Sequence, residues 1–412
     1  MEVSFSRDWP ERAPIRSAFT AALEAVDPEH AVRTALRESP IASPVTVVAI
    51  GKAAPAMARA VGGRASGIVV TDHIEPLPDD FVSYTGGHPI PDASSWQAGQ
   101  AVISLLASTD GPVLFLISGG ASALCEVPAP GLAIEDLSAV TGALLKSGAD
   151  ITAMNTVRKH LSSVKGGRLA VLCAGRPART LLMSDVVGDP LDTIGSGPTV
   201  ADPTTFTDAE RVLDDYRVAV PGVVAAFLAA GRRGEVEETP KDGFSTHPVE
   251  IVADGSVAAA AAVGAAEQVD IPARIETAKL AGDAETAATG AVTAATEVGM
   301  TFLAGETTVK VTGGGVGGRN QHAALAAALM LDGADDQILF GTLATDGVDG
   351  PTDAAGAVVD GGTVGRGGDA GLDAVSYFDN HASHPFLEAS GDLLRIGPSG
   401  TNVGDLWVVW RR

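Results

Sequence analysis

Val45-Thr46-Val47-Val48-Ala49-Ile50-Gly51-Lys52 is the stretch on which the fold turns. Five apolar residues and one threonine stop abruptly at a glycine. The run is too short for a helix and lacks the polar alternation of a half-exposed strand, so it predicts a strand buried on both faces and followed by a helix. The same unit recurs at Val113-Leu114-Phe115-Leu116-Ile117 before Ser118-Gly119-Gly120, and at Thr180-Leu181-Leu182-Met183 before Ser184-Asp185. Strands alternating with helices predict an α/β protein with a Rossmann-like, doubly wound parallel sheet, whose ligands lie beyond the carboxyl ends of the strands.

Outward from this core the chain has 412 residues, more than the ~250–300 at which one hydrophobic core stops growing, so two domains are expected. Residues 231–247, polar and broken by Pro240 and Gly243, form the best linker. Beyond it come Val249-Glu250-Ile251-Val252-Ala253 as a strand and an Ala-rich helix from Val257 to Glu267. Two more strand-to-turn units follow, Thr307-Thr308-Val309-Lys310-Val311 before three glycines, and Ile338 to Ala344 before Thr345-Asp346-Gly347. The expectation is a Rossmann-like domain over 1–240 and a smaller α/β domain over 241–412.

Acids exceed bases by 51 − 28 = 23, and a field of that sign repels nucleic acid and anionic membrane. Lysines number seven against 21 arginines, a balance that solubility in concentrated salt would favour and that GC-rich codons would also produce. Cys125 and Cys173 have no metal-like spacing, which points to a reducing compartment. Without a leader-like apolar run or the ~18 apolar residues of a membrane span, a cytoplasmic protein is expected. A homo-oligomer is left open.

Several turns carry chemistry. Ser118-Gly119-Gly120-Ala121-Ser122 has small residues and free amides at a helix start, which suit a phosphate; a tight turn needing glycine is the other reading. Lys52 could neutralise phosphate oxygens as charge develops in phosphoryl transfer, or be a solvated lysine. A cation at a helix start calls for a counter-anion. Gly313, Gly315 and Gly318 match G-x-G-x-x-G, which fits a dinucleotide fold or a phosphate-covering loop with Gly313, Gly314 and Gly315 against the ligand. Arg319 directly after it suits bidentate capture of a carboxylate or phosphate. Asp346 and Asp349 in Thr345-Asp346-Gly347-Val348-Asp349-Gly350 offer hard oxygens to a nucleotide's Mg²⁺, or cap their own turn. Asp189, after the third strand, could orient or deprotonate a substrate hydroxyl. No P-loop pattern and no nucleophile elbow occur.

Together these segments resemble the glycerate 2-kinases of the MOFRL type, a family that also carries the name hydroxypyruvate reductase. The motifs run nearly end to end: Gly51-Lys52-Ala53-Ala54, Gly86-Gly87-His88-Pro89, Ser118-Gly119-Gly120-Ala121-Ser122, Arg158-Lys159-His160, Ser184-Asp185-Val186-Val187-Gly188-Asp189, Gly317-Gly318-Arg319-Asn320-Gln321, Thr345 to Asp353, and Gly397-Pro398-Ser399-Gly400-Thr401-Asn402. The resemblance implies ATP-dependent phosphorylation of D-glycerate to 2-phosphoglycerate with Mg²⁺, in a cleft between two domains. Lys52 and Arg319 are the residues most directly carried over, and Arg158 and Asn320 are expected at the substrate. His322, Ser399 and the segment from Asn380 to Pro385 depart from the pattern. A nicotinamide-dependent reductase is the alternative, resting on the glycine match; its ribose-binding acid is missing, because Asp332 ends a helical run. A nucleotide-sensing module would leave the convergence of Lys, Arg and acids at strand ends unexplained.

Overall fold

The computed structural model describes residues 3–7, 9–173, 175–243, 247–334 and 337–412, so 244–246 of the expected linker lie outside the described residues. The strands are β1 (Ser4–Phe5), β2 (Val45–Ile50), β3 (Ala65–Thr71), β4 (Phe81–Thr85), β5 (Val113–Ile117), β6 (Ala178–Met183), β7 (Val249–Ala253), β8 (Ala273–Leu280), β9 (Gly299–Gly305), β10 (Ile338–Ala344), β11 (Gly356–Val359), β12 (Leu393–Arg395) and β13 (Asp405–Arg411). Two sheets result, with strand orders β4-β3-β2-β5-β6-β7 and β1-β12-β11-β10-β13-β9-β8.

In the six-stranded sheet the pairs β2–β3, β2–β5, β3–β4 and β5–β6 are parallel. Every residue of β5 and β6 is buried, as near-continuous apolar runs require when helices cover both faces. Gly51 is a positional necessity. It has φ +134°, and a Cβ there would lie 2.1 Å from the Ser118 hydroxyl oxygen, so only glycine lets the ends of β2 and β5 close up.

The seven-stranded sheet is antiparallel at β1–β12, β10–β11, β10–β13, β11–β12 and β13–β9, and parallel only at β8–β9. It is less regular than an alternating α/β pattern suggests. Thr307 to Val311, expected as a strand, contributes one isolated bridge from Thr308 to Asp283. Val249–Ala253 is an edge strand of the parallel sheet, not the opening of a second one. The helix Arg319–Leu331 is buried on most of its faces among Phe340, Phe386 and Trp407, which is why its Ala-rich sequence carries little amphipathic pattern.

The chain divides into two compact units that are not the halves of a cut at 240/241. One holds Ala31–Ser184 and Asp189–Val252; the other holds Met1–His30, Asp185–Gly188 and Ala253–Arg412. Side chains account for the placement of the first thirty residues. Arg12 is fully buried with its guanidinium 2.6 Å from Asp360 and 2.7 Å from Asp392. Trp9 Nε1 donates to the Gly391 carbonyl at 2.9 Å, and Thr401 Oγ1 to the Val26 carbonyl at 2.8 Å. Arg7, Arg12 and Arg366 lie 4.7, 5.0 and 4.8 Å from the centre of the Trp9 ring.

Removing one partner of a buried ion pair strands the other charge and costs about 3–5 kcal/mol. Arg12→Ala is therefore expected to lower stability by about 3 kcal/mol in urea denaturation. A midpoint equal to wild type would show that Asp360 and Asp392 do not depend on Arg12.

Candidate active site

Register sets the geometry of the parallel sheet's carboxyl edge. Ile50 stands level with Val70 and with Ile117, so the turns after β2, β3 and β5 emerge side by side. Backbone bonds continue the alignment: Gly51 N donates to Val70 O at 3.0 Å, Lys52 N to Gly119 O at 2.9 Å, and Gly86 N to Thr71 O at 3.0 Å. Lys52, Asp72, His88 and Ser118 to Ser122 thus share one edge. Lys52 is exposed. A Cβ on Gly120 would sit 3.4 Å from both Lys52 Cγ and His88 Cδ2, so Gly120, in the left-handed region, keeps the space between them open. Among the described residues, the amides of Gly119, Gly120 and Ser122 donate to no protein acceptor. Partial loss of solvent, together with the Lys52 and Arg158 charges, holds the His88 imidazole below its usual pKa.

Arg158, on the helix Ile151–His160, is 7% exposed. It donates through Nη2 to the Ser122 carbonyl at 2.6 Å, and its Nε has no partner. No ion pair reaches it among the described residues. Ser122 Oγ bonds Ser196 Oγ, and Ser196 Oγ bonds Asn155 Oδ1 at 2.8 Å. Ser118 Oγ accepts from Ala53 N at 3.1 Å. Asp189 is half-buried with φ 54°, a left-handed backbone that Asp tolerates better than most residues.

Lys52, Ser118, Gly119, Gly120, Ser122, Arg158 and Asp189 all belong to the parallel-sheet unit; the remaining expected residues belong to the other. There Arg319 makes the bidentate contact its sequence suggests, but with the protein's own Asp405: Nε to Oδ2 at 2.7 Å and Nη2 to Oδ1 at 3.0 Å. Glu306 takes Nη1 at 2.7 Å. Burial alone would lower the Arg319 pKa, and the hydrogen bond and charge of Asp405, then Glu306, raise it above the ordinary arginine value.

Asp349 is 2% exposed, and both its oxygens are spent on the N-terminus of the helix Arg319–Leu331. It accepts from Asn320 N at 3.0 Å, Gln321 N at 2.8 Å and Gln321 Nε2 at 2.9 Å. Burial pushes its carboxyl up to about 6 against the pull of those donors. Asp349 therefore caps a helix distant in sequence, not its own turn, and its carboxylate has no oxygen left for a metal; the Asx-type contact in this turn is made by Asp346. Asp346 is exposed and accepts from Val348 N at 3.0 Å. Among the described residues no group of three or more His, Cys, Asp or Glu is placed to hold a metal ion.

Asn320 is likewise committed to structure. It is fully buried, donates from Nδ2 to Asp405 Oδ1 at 2.9 Å and accepts Trp407 Nε1 at 2.7 Å, so no face of its amide is turned to a substrate. The glycine loop is built by packing. A Cβ on Gly313 or Gly315 would lie 2.3 or 2.5 Å from the Asn380 carbonyl oxygen, and one on Gly318 would lie 2.3 Å from Asp349 Cγ. Only Gly314 faces open space, and its N–H bonds Asn380 Oδ1 at 3.0 Å. With Asp349 on the helix terminus, this loop does not offer a pyrophosphate the dipole that a dinucleotide turn supplies.

Asp405 and Glu306 were not singled out in the sequence. Neither sits in a distinctive local pattern; the register Ala344↔Asp405↔Gly305 is what brings both beside Arg319. Asn155 and Ser196 were missed for the same reason.

Residues 14–229 match a family described as a domain of unknown function (DUF4147), and residues 299–405 match the MOFRL family. The chain is similar to a D-glycerate 2-kinase of Thermotoga maritima, 40% identical over 93% of this chain and 94% of the relative. It is also similar to a chain of Agrobacterium vitis that carries the name hydroxypyruvate reductase, 38% identical over 97% of this chain and 94% of the relative. A crystal structure of glycerate kinase from Thermotoga maritima superposes with a TM-score of 0.90 at 37% identity, covering 98% of this chain and 100% of that one.

Asp349→Ala removes a charged helix cap, and loss of such hydrogen bonds costs about 2 kcal/mol. The expected result is a lower melting temperature with the Mg²⁺ concentration dependence of activity unchanged. A shifted Mg²⁺ dependence in a variant of wild-type stability would return Asp349 to the metal.

Proposed function

We propose, from the premise that this chain belongs to the MOFRL-type glycerate 2-kinase family, that it transfers the γ-phosphoryl group of ATP to the 2-hydroxyl of D-glycerate. The observation that supports a substrate site of this kind is Arg158. A buried guanidinium with no carboxylate in ion-pair contact is costly; the Glu126 charge reaches it but is bonded to Lys165, and beside it lie the exposed Lys52 and three amides without acceptors. Such a place wants an anion, and glycerate and ATP are both anions.

In the reaction, the 2-hydroxyl oxygen bonds to the γ-phosphorus as the bond to the β,γ-bridging oxygen breaks, and ADP leaves. The hydroxyl proton passes to Asp189, whose strained backbone is of the sort found at working sites. Catalysis is positioning and charge neutralisation. Lys52, with the Gly119 and Gly120 amides and Ser118 nearby, steadies phosphate oxygens. Arg158 holds the substrate carboxylate. In the other unit, Arg319 is held by Asp405 and Glu306 as a candidate contact for a carboxylate or phosphate oxygen. A Mg²⁺ ion carried by the nucleotide would neutralise phosphate charge, and of the two expected acids the exposed Asp346 would be the one to hold it, since Asp349 is committed to the helix terminus.

The name carried by the Agrobacterium relative supports a second reading, reduction of hydroxypyruvate. One experiment separates the two. ATP consumption with D-glycerate, with the product identified as 2-phosphoglycerate, is expected; NAD(P)H oxidation by hydroxypyruvate without ATP turnover would replace the kinase reading. Within the kinase reading, Lys52→Ala is expected to lower kcat by about 10²–10³, the usual cost of one transition-state charge contact, without changing the melting temperature. Near wild-type turnover would remove Lys52 from the mechanism.

From its composition we further propose a reducing, salt-rich cytoplasm for the enzyme. Both cysteines are free and buried, and a net charge of −23 repels itself until salt screens it. Screening is nearly complete near 1 M, where the Debye length is about 3 Å. Melting temperature and activity are expected to rise with KCl; screening alone saturates at moderate salt, so gains that continue at multimolar concentration would point to adaptation by hydrated carboxylates as well. A flat or falling series would leave codon bias as the source of the Lys-poor composition.

A further inference from the structure

We propose that Ser122 is the residue that recognises the 3-hydroxyl of glycerate, fixed as a hydrogen-bond acceptor by Asn155 and Ser196; the assignment rests on the kinase reading above. It follows from counting protons along one buried chain. Asn155 Nδ2 lies 3.0 Å from the Thr193 carbonyl. A carbonyl only accepts, so the amide nitrogen must be on that side and Oδ1 must face Ser196 Oγ, 2.8 Å away. Oδ1 also only accepts, so it takes the single hydroxyl proton of Ser196. The proton in the contact between Ser122 Oγ and Ser196 Oγ must then come from Ser122. Its hydroxyl retains lone pairs and nothing to donate.

The chain cannot easily rearrange. Asn155 is 1% and Ser196 0% exposed. Gly195, Ser196 and Gly197 are consecutive left-handed residues with φ 58°, 62° and 57°. A Cβ on Gly195 would lie 3.0 Å from Ile117 Cγ2 and 3.3 Å from Ala121 Cβ, so this turn is wedged behind the Ser118 to Ser122 segment. Ser122 itself is half-buried at the edge that carries Lys52.

An acceptor-only hydroxyl meets a phosphate or carboxylate oxygen lone pair to lone pair, which is repulsive. This argues against Ser122 as a phosphate ligand. It welcomes a group that brings its own proton, such as an alcohol. The chain ends in an amide and a carbonyl, neither of them a base, so it cannot remove that proton. The alcohol it holds is therefore one that keeps its hydrogen through the reaction, which in a 2-kinase is the 3-hydroxyl. Arg158, bonded to the carbonyl of the same Ser122 at 2.6 Å, puts the cation proposed for the substrate carboxylate next to it. In glycerate those two groups flank the reacting carbon.

The test compares D-glycerate with D-lactate, which has a methyl group in place of the hydroxymethyl. Both are measured by steady-state kinetics with ATP and by calorimetric binding without it, for wild type, Ser122→Ala and Ser122→Thr. Loss of one hydrogen bond predicts that Ser122→Ala lowers kcat/KM for glycerate by about 5- to 10-fold, mainly through KM, and the lactate value several-fold less. Ser122→Thr, which keeps the hydroxyl, should restore the preference. Equal losses for both acids would mean that Ser122 serves Lys52 or the loop and would overturn the assignment, as would an unchanged preference. If wild type consumes no ATP yet the binding preference behaves as described, the kinase reading falls and the assignment of Ser122 stands.

Discussion

A cation taken out of water must find a carboxylate, and most of the architecture can be understood from how that demand is met. Arg12 has Asp360 and Asp392, Lys159 has Asp192 and Asp202, and Lys165 has Glu126. Each pair joins segments distant in sequence, and the first joins the N-terminal residues to the C-terminal unit. Among the described residues Arg158 differs: buried like the others, it is bonded to a carbonyl, and the Glu126 charge that reaches it is already paired with Lys165. A buried cation without its own ion pair, at the edge where a parallel sheet presents ligands, has an electrostatic form that suits an anion.

The two glycine-rich turns look alike as strings and work differently. Ser118-Gly119-Gly120 follows a parallel strand, has amides without acceptors, and keeps a space open between Lys52 and His88. Gly313 to Gly318 is crowded: its glycines admit the Asn380 carbonyl, Ser383 and Asp349 at distances that a Cβ would forbid. The first leaves open space and the second makes room for the protein's own backbone and side chains. That difference is the reason the dinucleotide pattern carries so little weight here.

Arg319 and Asp349 show the same economy with charge. Both bracket the start of the helix Arg319–Leu331, the carboxylate bonded to its amides and the guanidinium clamped on Asp405. Asn320 between them ties the two acids and Trp407 together. The result is a closely bonded platform with Glu306 and Asp346 exposed and Arg319 half-buried at its rim.

Local sequence determined the strands of the parallel sheet, because Val45 to Ile50 and Val113 to Ile117 can be satisfied only by burial on both faces. It also determined which turns would cap them, since Gly51 and Gly120 need backbone that other residues resist. Lys52 stands out as one of seven lysines and Arg319 by its place directly after the glycine turn, whereas Arg158 enters only through the family resemblance. Their partners were not legible: Asp405 and Glu306 meet Arg319 through strand register, and Asn155 and Ser196 meet Ser122 across long stretches of chain. Nor could spacing reveal that Val249 to Ala253 is an edge strand of the first sheet, or that residues before Ala31 belong with those after Val252. Periodicity and turn chemistry act over a few residues and so can be read in order. Which lone pair faces which proton is settled only when distant segments are packed together, and that is where the direction of Ser122's hydroxyl was decided.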